Sequence, residues 1–210
     1  MFASKKNSNH MKALKITGIV LAALVVIVVI LGFIAPKEFK VERSVIIPTD
    51  NKEVIFKNLT HWNEFLKWNP WSAMDPNQKL TFSGEEGTVG SSYTWEGNKD
   101  VGKGSMTIAA LKENEMVDMD LYFIKPFEAK NKTYFNMTQE GSGYKVNWSM
   151  SGKSDFPMNI FGLFMNMDKM IGADFEKGLE SLKKKCIEEA ATPSEPVTAD
   201  SQTTDTTIVK

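Results

Sequence analysis

Hydrophobic and polar positions follow four different patterns along this chain of 210 residues. Residues 16–35 are a continuous apolar run, from Ile16 through Val25 to Ala35, without one charged side chain. As a helix rising about 1.5 Å per residue it spans about 30 Å, the thickness of a bilayer's hydrocarbon core. From Phe39 to Ile47 the pattern changes to alternation, with Phe39, Val41, Val45 and Ile47 on one side, which predicts a half-buried strand. Pro48 ends it. Thr49 or Asp50 is placed to cap a short helix through Phe56 and Leu59, and Thr60 to cap a second through Trp62, Phe65 and Leu66 that Pro70 stops.

From Leu80 onward, turn signals at Gly84–Gly87, Gly97-Asn98, Glu113-Asn114, Lys125-Pro126 and Gly141-Ser142-Gly143 divide the chain into strands of an antiparallel meander. Parity within them defines an inner face: Val89, Ser91, Tyr93 and Trp95; Met106, Ile108 and Ala110; Val117, Met119, Leu121 and Phe123; Thr133, Phe135 and Met137; Val146, Trp148 and Met150. The alternate positions, among them Glu96, Lys103, Asp118, Asp120, Lys132 and Lys145, face water. A sheet dry on one side only needs a cover. The cover is predicted after Pro157, where Ile160, Phe164, Met167, Ile171, Phe175, Leu179, Leu182 and Cys186 recur every three or four residues as one long helix. Gly162, Gly172 and Gly178 interrupt that stripe, each costing about 1 kcal/mol relative to Ala, and glycines of this kind are usually retained where a backbone comes close to something. Residues 191–210 turn to Thr, Ser, Pro and Asp and predict a disordered tail.

The apolar run at 16–35 reads as an uncleaved transmembrane helix. A secretory signal has a shorter apolar region of about 7–15 residues and small side chains before its cleavage site, where this chain has Phe33. Lys5, Lys6, Lys12 and Lys15 precede the span, and Lys37, Lys40 and Arg43 follow it. That bias predicts a single-pass membrane protein with residues 1–15 in the cytoplasm and the domain, residues 36–190, on the other side. A start at Met11 would leave two of the four lysines and weaken the bias.

Composition narrows the function. Hydrophobic residues make up 42% of the chain and aromatics 10%, enough for one ordinary core. Residues 36–190 carry 20 Lys and Arg against 23 Asp and Glu, which argues against a nucleic-acid partner. The single Cys186 and the two histidines, His10 and His61, offer no disulfide and no metal-ligand spacing, so no metal or other cofactor is expected.

Within this pattern the densest signal runs from Trp62 to Asn98, which holds four of the five tryptophans. Trp68-Asn-Pro-Trp71 followed by Asp75-Pro76, then Gly87-Thr-Val-Gly-Ser-Ser-Tyr-Thr-Trp-Glu-Gly-Asn98 and Val101-Gly-Lys-Gly104, resembles the polyketide cyclase/dehydrase-like branch of the START and pollen-allergen (SRPBCC) superfamily. Phe123-Ile-Lys-Pro-Phe127, Val146-Asn-Trp-Ser-Met-Ser-Gly152, Met167-Asp-Lys-Met-Ile-Gly172 and Phe175-Glu-Lys-Gly-Leu179 extend the resemblance across residues 37–190. It implies an α+β helix-grip fold: an antiparallel sheet of about seven strands, in the order β-α-α-β6-α, wrapped around a long C-terminal helix. It also implies an apolar ligand held between sheet and helix, or, in a minority of members, cyclase, dehydratase or hydrolase activity.

The candidate ligand-binding residues are Tyr93, Trp95, Met106, Met119, Phe123, Phe135, Trp148 and Met150 from the sheet, with Phe161, Phe164 and Met165 beside the helix. Nine methionines between Met106 and Met170 would make such a lining adaptable. Each ring also suits plain core packing, and Trp71 suits a plug between the helix pair and the sheet. No catalytic residue is assigned, because the inner face from Val89 to Met150 holds no Asp, Glu, His, Lys or Cys within reach of a ligand. Arg43 shares the apolar parity of the first strand and reads as an exposed strand-end charge ahead of a ligand contact. Asp75 reads as a turn cap and Glu96 as an outward hairpin-end charge. The sequence thus predicts a membrane-anchored binder of an apolar small molecule or lipid. The alternatives are a cyclase or dehydratase, or an interaction module with a closed core.

Overall fold

The computed structural model describes residues 5–191, so the expected tail lies outside the described residues except for Ala191. Helix α1, Lys5–Ile34, absorbs the basic segment as well as the apolar run, and from Met11 to Ile34 it is long and apolar enough to cross a membrane. Almost all of that stretch is free of the domain. Its last turn is the exception: Gly32 and Ala35 are buried, and Asn159 Nδ2 donates to the Gly32 carbonyl at 2.8 Å.

Seven strands follow: β1 (Glu38–Ile47), β2 (Lys79–Ser83), β3 (Ser92–Glu96), β4 (Lys103–Lys112), β5 (Met116–Lys125), β6 (Ala129–Glu140) and β7 (Gly143–Lys153). They form one antiparallel sheet in the order β1-β7-β6-β5-β4-β3-β2. Strands β2 to β7 are a meander in which short turns bring each strand beside the next. β1 closes the far side by pairing with β7, from Glu38 opposite Lys153 to Ile47 opposite Tyr144. The predicted inner face is the buried one along β3 to β7, except that Phe123 is half-buried, and with two further corrections. Val89 precedes β3 and is 60% exposed, because the chain turns at Gly90 before the ladder begins. Ala110 is only half-buried, because the β4–β5 register shifts between Ile108 and Ala110.

Two short helices fill the space after β1, and their caps differ from expectation. Asn51 caps α2 (Lys52–Thr60), its Oδ1 accepting from Val54 N, in place of Thr49 or Asp50. His61 occupies the N-cap of α3 (Trp62–Trp68), while the Thr60 hydroxyl donates back to the Phe56 carbonyl. A 3-10 turn at Pro70–Met74 follows, entered through Asn69, whose Oδ1 accepts from Trp71 N.

The long final helix is shorter than its stripe. Met158–Leu163 is a separate 3-10 turn, and α4 runs Met167–Ala191. Asn166 explains the break: its side chain accepts from Lys169 N, a cap that starts a new helix there. Ile160 and Phe164 therefore lie off the helix, whereas Phe175, Leu179, Leu182 and Cys186 are buried on it. Phe175 stacks face to face on Trp148 at 3.9 Å between ring centroids, the central contact between α4 and the sheet. Phe65, Trp68 and Phe135 continue the aromatic core, and Trp62 lies against Tyr93 with its Nε1 donating to Ser91 Oγ. At its C-terminal end α4 is tied to α2 and α3 through Lys185, which bonds Glu64 at 2.7 Å and Glu189, and through Asn58, which donates to Glu189 at 2.6 Å.

Candidate functional site

Beneath the N-terminal half of α4 the sheet is not fully covered. α3 fills the sheet toward the end where β1 finishes, with Asn63 bonded to Glu86 of the β2–β3 turn, and an open cleft remains toward the other end. It measures about 2080 Å³, a volume that includes its wide mouth and the outer rim where Asp120, Lys130 and Lys132 stand. Its inner wall carries Tyr93, Trp95, Met106, Phe123, Trp148 and Met150, and Phe161, Phe164 and Met165 edge the mouth. Those are nine of the eleven residues singled out from the sequence. The other two, Met119 and Phe135, lie outside the cleft and are completely buried in the core. Phe135 is covered by Phe65, Trp68 and Trp148.

Several lining residues were not singled out. Phe127 sits in the β5–β6 turn, where strand parity assigns no face. Asn131 shares the parity of Thr133 and Phe135, so extending that row back by two residues would have found it. Trp71 also lines the cleft and sets its edge on Trp148 and Phe175, a wedge between the 3-10 turn, the sheet and α4.

The polar groups of the wall are few. Asn69, Tyr93, Asn131, Thr133 and Asn159 are buried among its lining residues. Burial holds the Tyr93 phenol far above its usual range, so it stays protonated. Three buried atoms of lining residues, Trp148 Nε1, Asn131 Oδ1 and Asn159 Oδ1, have no hydrogen-bond partner. The Trp95 indole donates to the Val101 carbonyl at 3.0 Å, and its ring lies directly on Gly104 of the neighbouring strand.

The charged candidates take structural positions. Arg43 is not an exposed strand-end charge. It points inward from β1, bonds Glu176 at 2.7 Å and Asp168 at 2.9 Å, and occupies the space over Gly172. The guanidinium holds the Asp168 carboxyl below its ordinary range. Asp75 joins two loops, accepting from Asn77 N through Oδ1 and from Asn98 N through Oδ2. Glu96 pairs outward with Lys103, whose hydrogen bond lowers its pKa. Among the described residues no three His, Cys, Asp or Glu side chains converge as metal ligands.

A seven-stranded antiparallel sheet gripping one long helix, with an apolar cleft between them, is the helix-grip fold. No protein-family model matches the chain, and no curated protein is similar to it in sequence. Solved structures are similar in fold. The di-domain aromatase/cyclase StfQ of the steffimycin biosynthetic pathway superposes with a TM-score of 0.54 at 8% identity, over 74% of this chain and 53% of its own. Protein Mll3558 from Rhizobium loti gives 0.51 at 15% identity, over 70% of this chain and 95% of its own. The chain thus has the fold of the START and pollen-allergen superfamily that its motifs resemble, and at these identities the likeness is one of fold.

Proposed function

We propose that the protein binds an apolar small molecule or lipid in the cleft between the sheet and α4, and that α1 holds the domain at a membrane. The observation that carries this is an aromatic and methionine wall left open on one side, with Phe161 58% and Phe164 76% exposed at its mouth. Contiguous exposed apolar surface on a domain of this size marks a binding site. Methionines such as Met106 and Met150 let a wall adjust to its ligand. The unpartnered Trp148 Nε1, Asn131 Oδ1 and Asn159 Oδ1 suit a ligand that carries polar groups, since an unsatisfied buried donor or acceptor costs about 1–3 kcal/mol.

Retention of α1 is supported by its last turn. Cleavage near Ala35 would leave Asn159 without its Gly32 partner and uncover Phe156, which packs against Gly32. The charge bias across the span favours an N-terminus in the cytoplasm and a domain on the other side. No catalysis is required for binding, and the buried polar groups of the wall are suited to orienting a ligand.

The test is organic extraction of detergent-purified full-length protein followed by mass spectrometry. A stoichiometric apolar compound is expected. An empty extract, together with failure to bind an environment-sensitive apolar dye, would overturn the proposal. Turnover of a recovered compound would instead favour a cyclase or dehydratase.

A further inference from the structure

Strand register puts the cleft mouth beside the end of α1. β1 begins at Glu38, just after α1 ends at Ile34, and Glu38 opposes Lys153, the last residue of β7. Followed across the ladder, the same end of the sheet holds the start of β6, the end of β5 at Lys125, the start of β4 at Lys103 and the start of β2 at Lys79. The β5–β6 turn carrying Phe127 and the segment 154–166 leading to α4 therefore both lie at the end where α1 arrives.

Direct contact fixes the level. The Phe156 ring lies so close to Gly32 that a Cβ there would stand 2.4 Å from Phe156 Cδ2, and buried Asn159 bonds the Gly32 carbonyl. Gly32 is two residues from the end of α1, about 3 Å along a helix axis. A helix that crosses a bilayer with residues 16–35 thus sets Phe156 at the boundary between acyl chains and headgroups.

Exposed large apolar side chains crowd at this level. Phe127, Phe156, Phe161 and Phe164 are 57–76% exposed, and Leu163 and Met165 stand among them. The strand ends here carry Lys79, Lys103, Lys125 and Lys153 together with Glu38 and Glu96, and the adjoining turns add Asp100, Glu128 and Asp155, so the ring of charge behind the aromatic rim is mixed in sign. Exposed phenylalanines backed by charged groups of both signs match the level where acyl chains meet headgroups. A protein partner or a second copy would have to displace the bilayer that α1 already brings there.

We infer that the rim formed by Phe127, Phe156, Phe161 and Phe164 is seated in the membrane interface, so that the cleft opens onto lipid and its ligand passes between bilayer and cleft without crossing water. This rests on α1 being a membrane span.

The test uses full-length protein in vesicles of phosphatidylcholine with a minority of phosphatidylglycerol, some lipids being brominated on their acyl chains. Native Cys186 is buried with its thiol pushed up to about 12, so introduced cysteines take a fluorescent label selectively. Three variants are labelled: Phe164→Cys at the rim, Glu113→Cys in the distant β4–β5 turn, and Val25→Cys within the span. Brominated lipid is expected to quench the labels at 164 and 25 several-fold more than the label at 113. Quenching at 25 without quenching at 164 would overturn the seated rim and leave the span standing. Quenching at neither would overturn both, and equal quenching at 164 and 113 would overturn the orientation.

Discussion

Arg43 and Gly172 form a coupled pair whose energetics can be separated. Alanine is favoured over glycine by about 1 kcal/mol inside a helix, yet a Cβ at Gly172 would lie 2.1 Å from Arg43 Nη2. The guanidinium is the end of a flexible side chain and can move, but doing so weakens its bonds to Asp168. Those bonds are partly exposed and contribute little to stability. Gly172→Ala alone is therefore expected to be near neutral, and in an Arg43→Ala background to raise stability by about 1 kcal/mol. Urea denaturation of both pairs in detergent checks this, and equal effects in the two backgrounds would show that the contact is not a determinant. Gly104 has less freedom: an added Cβ meets Trp95 at 2.4 Å and the Tyr122 carbonyl at 2.5 Å. Gly104→Ala should cost about 1–3 kcal/mol by overpacking and weaken binding of an apolar dye, read by thermal melting and titration. A variant with wild-type melting and affinity would mean the Trp95 wall is not fixed by this contact. Strand parity made the inward rows legible at this scale. It could not separate Phe135 from Trp95, because whether an inward ring is sealed or left open depends on where α3 lands.

Among the elements, the joint between α3 and α4 should report itself in acid. Hydrogen bonding from Lys185, supported by Lys67, holds Glu64 down at about 2 in the folded protein, against 4.5 ordinarily. Because the folded value lies below the unfolded one, the stabilisation is complete above about pH 5 and is lost as pH falls from 4.5 toward 2. Glu64 and Lys185 side chains are 19% and 16% exposed, so after solvent screening the joint contributes about 1–2 kcal/mol. Glu64→Gln should lose that amount at pH 7 and show a shallower acid limb than wild type. Parallel acid limbs would place the titration elsewhere. The boundaries of α4 illustrate what periodicity misses. Ile160 and Phe164 continue the spacing of Ile171 and Phe175, but Asn166 offers its side chain to Lys169 N, and the chain begins a helix there instead of continuing one. An Asn two residues before an acidic first-turn residue was the available signal, outweighed by the hydrophobic stripe.

For the whole molecule, element order was legible because each change of hydrophobic period coincided with a turn signal, but which edge of the meander β1 joins, β2 or β7, was not. The docking of α1 was not legible, since Gly32, Phe156 and Asn159 are brought together only by the sheet register. The proposed orientation of α1 in a membrane rests on charge, and it gives a separate prediction. Lys5, Lys6, Lys12 and Lys15 stand before the apolar run, with Lys37, Lys40 and Arg43 after it. Lys and Arg near the ends of a span decide which end stays in the cytoplasm, and acidic neighbours such as Glu38 and Glu42 count little. Arg43 ends up paired to Asp168 and Glu176, but those residues are synthesised long after the span, so Arg43 still counts during insertion. Four against three is a small excess. A phosphatase active only outside the cytoplasm, fused after Lys210, should therefore be active on the wild-type chain. Replacing the four N-terminal lysines with Gln should leave the three following charges dominant, reducing phosphatase activity and raising that of a cytoplasm-specific reporter fused at the same point. A wild-type fusion active only in the cytoplasm would reverse the assignment and place the cleft mouth against the inner leaflet.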